Sequence, residues 1–171
     1  MTMSKAAEFT LKLLADRGVQ LDDIANIVYS LQIPYNSSLT IDECRASVLA
    51  VLEKRDAQYT LITGIALDEL AERRLLPRPL QEMMEADESL YGVDEVLALG
   101  ITNAYGMIGL TSFGFLDKEK TGIIRKLNEK GASIHVFLDD LIAALAAAAS
   151  ARIAHKSQNA ARYDWNLESD Q

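Results

Sequence analysis

Hydrophobic residues return every three to four positions along most of the chain, the period of an amphipathic helix. Residues 3–17 place Phe9, Leu13 and Leu14 at that spacing and stop at Gly18. From about Asp22, the residues Ile24, Ile27, Val28 and Leu31 make one face of a second helix that ends before Pro34. Thr40 opens a third, with Glu43 three residues on as a capping box. Its pattern reaches Arg55, or bends there and continues through TLITGIALDELAERR. A short helix begins near Pro79, a fifth spans about Val93 to Ile108, a sixth about Lys118 to Glu129, and the last about Ser133 to Lys156. No run alternates with the period of two that marks a strand, and no segment repeats. The pattern predicts an all-α, single-domain bundle over residues 1–156, followed by a flexible C-terminal tail at 157–171.

The last helix poses the chemical question. FLDDLIAALAAAASARIAH, residues 137–155, opens on Asp139 and Asp140 and then carries no charge from Leu141 to Ala151. A helix apolar all round its axis is normally central, with neighbours packed close on its small side chains. Its two carboxylates therefore stand at the edge of a crowded interior, where each needs a cation, a donor or a proton. The helix dipole supplies only about 0.3–1 kcal/mol. Further acids begin another apolar helix in GVDEVLALG, at Asp94 and Glu95, and Asp117 stands three residues before Lys120 in FGFLDKEK. Carboxylates brought from three helices are hard oxygen ligands suited to Mg²⁺ or Mn²⁺, and Lys120 can hold a phosphate oxygen as a point charge. The competing reading is plainer: acid pairs at helix starts are common as caps, His135 orients or lies at the surface, and the methionines fill the core.

Composition narrows the setting. The 171 residues are 49% hydrophobic and only 6% aromatic, with three Pro and nine Gly, a balance that favours helix. A formal charge of −8 argues against broad attraction to nucleic acid or anionic lipid, although transient docking at a membrane stays compatible with it. The single Cys44 has no internal disulfide partner, and the N-terminus has no signal-peptide pattern, so a cytoplasmic protein is expected. Val96–Leu116 is uncharged and long enough to cross a bilayer. Four glycines (Gly100, Gly106, Gly109, Gly114) and polar residues dilute it, and acids flank it in place of Lys and Arg. It reads as a buried core helix followed by a glycine-rich turn, not a transmembrane segment. TLKLLADRGVQLDDIANIVYSLQ has the form of a helix-turn-helix, but its second helix carries no Lys or Arg from Asp22 to Gln32. The apolar faces of the first two helices can pair across a two-fold axis, so a homo-oligomer is expected.

The order V-D-E at 93–95, L-D-x-x-K at 116–120 and I-H-V-F-L-D-D-L-I-A at 134–143 resembles the phosphatidylglycerophosphatase A family. The similarity is nearest to its soluble YutG-like branch. The resemblance implies an all-helical fold around one central helix and an Mg²⁺-dependent removal of phosphate from phosphatidylglycerophosphate or a related ester. It implies that Asp94, Glu95, Asp139 and Asp140 hold one or two metal ions, Mg²⁺ or Mn²⁺. Asp117 would be a further ligand or the general base, and Lys120 would offset charge on the phosphate. Gly114 stands where the membrane-bound enzymes carry an arginine, and Thr121 where they carry a proline. The metal-binding acids are thus retained while part of the phosphate and lipid apparatus is not. Those departures leave open a non-catalytic metal-binding bundle, and the 10–32 pattern leaves open a helix-turn-helix regulator.

Overall fold

Each helix starts and stops where a cap or a turn residue allows it. The computed structural model describes residues 3–89, 91–129, 131 and 133–156, and the tail expected at 157–171 lies outside them. Helix α1 (Lys5–Asp16) begins on Ser4, whose hydroxyl accepts the Ala7 N–H, and the chain turns at Gly18 with φ +80°. Next come α2 (Leu21–Gln32) and α3 (Ile41–Leu52), the latter closed by the Thr40–Glu43 capping box. The long third pattern does bend: α4 (Arg55–Glu72) resumes after a break at Glu53 and Lys54. A short α5 (Leu80–Ala86) follows. Then come α6 (Val93–Thr102), one 3₁₀ turn (Asn103–Tyr105), α7 (Gly106–Glu119), α8 (Ile123–Leu127) and α9 (Leu138–Lys156). Among the described residues there is no strand, and the architecture is an all-α, single-domain bundle.

Helix α9 is the axis of the bundle. Every residue from Leu138 to Ala151 is buried, and α2, α3, α4, α6, α7 and α8 all pack on it. The alanines make this possible because they let neighbouring backbones approach from all sides. Gly64 of α4 shows how tight the approach is: a Cβ there would lie 2.5 Å from Leu141 Cδ1 and 3.0 Å from Phe137 Cβ. Two buried polar groups on the walls pair with α9 itself. Ser47 Oγ donates to the Ala149 carbonyl at 2.8 Å, and Gln32 Nε2 donates to Ser150 Oγ at 2.7 Å.

Three expected boundaries move, each for a physical reason. The apolar segment is not one core helix followed by a glycine-rich turn. The chain turns at Asn103–Gly106, where Gly106 takes φ +65°, and Gly109 and Gly114 lie inside α7. By length and composition Val93–Glu119 is apolar enough to cross a membrane, with 28% of its most hydrophobic window buried. Yet the start of α6 and the end of α7 both reach the start of α9, so the segment is a hairpin. Its arms are about 15 and 21 Å long, against roughly 30 Å of bilayer hydrocarbon. The sixth helix shrinks to α8, because Lys118 and Glu119 finish α7 and Lys120 turns left-handed with φ +45°. Finally, α9 begins at Leu138 instead of Ser133, because side chains of α4 capture the preceding backbone groups.

The apolar face of α2 is consumed inside the chain: Ile24, Ala25, Ile27 and Val28 are buried, and Asp22, Asn26 and Ser30 are what it exposes. No cation faces outward there to meet a nucleic-acid phosphate. The larger exposed apolar residues on the hairpin are Val93, Val96, Met107, Ile108 and Phe115.

Candidate active site at the start of the central helix

The site is assembled where α6 begins, α7 ends and α9 begins. What holds the first turn of α9 is Asp68, a fully buried carboxylate on α4. It accepts the N–H groups of Phe137 and Leu138 at 3.1 and 3.0 Å, the donors a helix start leaves without intrahelical partners. One turn further along α4, Glu72 Oε1 accepts the Ile134 N–H at 2.8 Å. Arg17 grips Glu72 through its two terminal nitrogens, Nη2 at 2.7 Å and Nη1 at 2.9 Å, and Nη2 also donates to the Ile134 carbonyl at 2.7 Å. These clamps place Asp139 and Asp140 inside the first turn of α9, both nearly buried.

Asp94 and Glu95 occupy the first turn of α6, directly after Gly92 with φ +68°. Carboxylate oxygens of Asp94, Glu95 and Asp140 all lie within 4.8 Å of one another. Asp94 Oδ1 accepts the Glu95 N–H at 3.1 Å, and Glu95 Oε2 is buried with no hydrogen-bond partner among the described residues. A buried carboxylate oxygen without a partner is costly and therefore informative. Hard oxygen donors gathered from two helices, one of them orphaned, fit a divalent cation.

Lys120 closes the other side. Its left-handed backbone turns the ammonium inward, where it donates to Asp117 Oδ1 at 2.7 Å, Asp139 Oδ2 at 2.8 Å and Asp140 Oδ1 at 3.2 Å. The expected residues thus converge, in two linked groups. Asp94, Glu95 and Asp140 form the carboxylate trio, while Asp139 and Asp117 face Lys120, and Asp140 belongs to both.

Electrostatics follow from this crowding. Burial raises the Asp94 carboxyl to about 7, and the neighbouring Glu95 adds to the shift. Burial and then Asp139 raise Asp140 to about 8. Burial also raises Asp139, against the pull of Lys120. For Lys120, burial alone would lower the pKa, but Asp139, Asp117 and Asp140 overturn it, so the ammonium is held more firmly than in water. Asp68 rises to about 7 because burial outweighs the two backbone bonds it accepts.

Sequence reading missed Asp68, Glu72 and Arg17, which set the site without lining the trio. One signal for Asp68 was available. It falls on the helical face of Leu61, Gly64, Ile65 and Ala71, a lone carboxylate in a buried stripe.

A family model described as "Phosphatidylglycerophosphatase A" matches residues 11–155. The chain is 53% identical over 158 residues to uncharacterized protein YpjQ of Bacillus subtilis strain 168, covering 92% of this chain and 89% of that one. A crystal structure of YpjQ superposes with a TM-score of 0.85 at 54% identity, covering 91% of this chain and 96% of the other. The low temperature requirement C protein from Listeria monocytogenes superposes with a TM-score of 0.86 at 50% identity, covering 90% and 98%. With its acids and its lysine gathered at the head of an alanine-rich central helix, and the family model matched from residue 11 to residue 155, this chain belongs to the phosphatidylglycerophosphatase A family.

Proposed function

We propose that the protein is a divalent-metal-dependent phosphomonoester hydrolase acting on phosphatidylglycerophosphate or a related ester. The observation that carries this reading is the trio of Asp94, Glu95 and Asp140 with its orphaned Glu95 oxygen, standing beside the Lys120 ammonium. The trio would hold Mg²⁺ or Mn²⁺, with Asp139 and Asp117 adjacent as further oxygen donors. When bound, such an ion polarises phosphoryl oxygens and lowers the pKa of a coordinated water. Lys120 offers its ammonium to the negative charge of the phosphate. Its three carboxylate partners hold it in place, so it is oriented before substrate arrives. Asp117, whose Oδ1 is held by Lys120, would serve as a further ligand or as the general base that takes a proton from the nucleophile. Water is kept from the floor of the site by the buried start of α9.

The proposal places the protein in the cytoplasm as a homo-oligomer, with exposed Phe9 of α1 and the exposed hairpin residues Val96, Met107, Ile108 and Phe115 as candidate contact residues in place of α2, whose apolar face is buried. Light scattering that finds only monomer would remove the oligomer and leave the site untouched. The activity is tested by phosphate release from a panel of lipid-linked and soluble phosphomonoesters with Mg²⁺ or Mn²⁺. Release that disappears with chelator and in Asp140→Asn is expected. If no ester is cleaved while the ions still bind, the protein is a non-catalytic metal-binding bundle.

A further inference from the structure

A cavity of about 250 Å³ opens beside the acidic site, between α5, α8 and the segment leading into α9. Its walls include Glu85, Asn128, Ser133, His135 and Asp139. Asp139 is shared: it lines the cavity and also accepts from Lys120 at 2.8 Å. An ester whose phosphate lies against Lys120 and the carboxylate trio therefore has this cavity next to it. The volume is small, below the roughly 300–1,000 Å³ of pockets that enclose drug-sized ligands. Among its described walls there is no Phe, Tyr or Trp on which a base or aryl ring could stack. Carboxylates, an amide and a hydroxyl are instead the acceptors and donors that suit alcohol hydroxyls.

His135, which lines the cavity, has one ring nitrogen committed elsewhere. Arg17 Nη2 lies 3.0 Å from His135 Nδ1. The two hydrogens of Nη2 serve Glu72 and the Ile134 carbonyl at 2.7 Å, so Nδ1 shares one of them, and a proton on Nδ1 would point at a group that has only donors. The neutral ring then carries its proton on Nε2, which has no hydrogen-bond partner among the described residues. Arg17 is itself fixed by Glu72 and the Ile134 carbonyl, so the ring is held in this state. Burial, and then Arg17, lower the His135 pKa, which agrees with a neutral ring.

We propose that this cavity binds the alcohol half of the ester, a short polyol that is either free or the headgroup of a lipid, and that His135 Nε2–H donates to one of its hydroxyls. The proposal rests on the phosphohydrolase reading above. The test measures kcat and KM for glycerol 3-phosphate, for phosphatidylglycerophosphate in phosphatidylcholine vesicles, and for p-nitrophenyl phosphate, with the parent, His135→Ala and His135→Gln, all checked for folding by circular dichroism. In His135→Ala the preference for polyol over aryl ester should fall about tenfold, the upper range for one neutral hydrogen bond, mainly through KM. His135→Gln keeps a donor near the Nε2 position and should recover much of that preference. Loss of preference on the free ester as well as the vesicle assigns recognition to the headgroup alone. Loss on the vesicle only assigns it to the lipid-linked form. An unchanged preference in His135→Ala, or equal losses on polyol and aryl esters, overturns the subsite while the hydrolase stands. A parent that cleaves none of the three removes both.

Discussion

Asp94 and Asp140 keep their protons to about pH 7 and 8 in the fold, because burial and neighbouring acids disfavour the charged form. In the unfolded chain a carboxyl of this kind loses its proton near pH 3.9. Between those limits the folded state binds more protons than the unfolded one, so stability is largest at the acid end of the window and is lost as pH rises through about 7–8. Asp68 contributes in the same sense and at about the same pH. The metal-free protein should therefore melt at a lower temperature at pH 8.5 than at pH 5.5. Thermal melting in chelator across that range checks it, and a flat or rising profile would mean that these carboxyls are not desolvated. A divalent cation displaces the protons from the trio and should flatten the fall, since the charged form then has a counter-charge.

At the scale of the helices, one interaction couples the bundle to its chemistry. Asp68 spans from α4 to the start of α9 and is the cap on which the position of Asp139 and Asp140 depends. Asp68→Ala leaves the Phe137 and Leu138 N–H groups buried without acceptors, at a cost of about 1–3 kcal/mol, and loosens the first turn that presents the acids. The expected outcome is a lower melting temperature together with a weaker response to divalent cations. A variant that loses stability yet keeps the full ion response would separate the cap from the site. The sequence carried most of the architecture because periodicity reports burial: α2, the Thr40–Glu43 box and the central role of the last helix were legible. It also singled out the acids that the fold brings together around Lys120, since carboxylates at the ends of apolar helices need a counter-charge or a proton once those helices pack together. It did not carry the start of α9, which is decided by Asp68 and Glu72 from some seventy and sixty positions earlier. The hairpin was equally hidden. Two apolar arms and one long apolar span read the same until the pairing of α6, α7 and α9 is known. Nor could spacing divide the acids between the trio and Lys120, because that division depends on a left-handed turn at a lysine.

For the molecule as a whole, the bundle gathers its buried charge at one end of its most apolar helix. Five acids, Asp94, Glu95, Asp117, Asp139 and Asp140, stand near the Lys120 ammonium there, within a chain whose formal charge is −8. Close packing along α9 leaves the acids little room to move apart, so the fold tolerates them through raised pKa values, the salt bridges of Lys120 and, on the proposal made above, a cation. Binding of that cation is measured most directly by thermal melting of the parent and of Asp140→Asn, at neutral pH, with and without Mg²⁺ or Mn²⁺. An ion bound only by the folded state should stabilise the parent by about 2.7 kcal/mol at one hundred times its dissociation constant. Asp140→Asn keeps the shape of the side chain and removes its charge. That variant should stay folded and show little or no ion response. If the parent's melting temperature ignores both ions across millimolar concentrations, and the variant behaves the same way, the trio is not a metal centre.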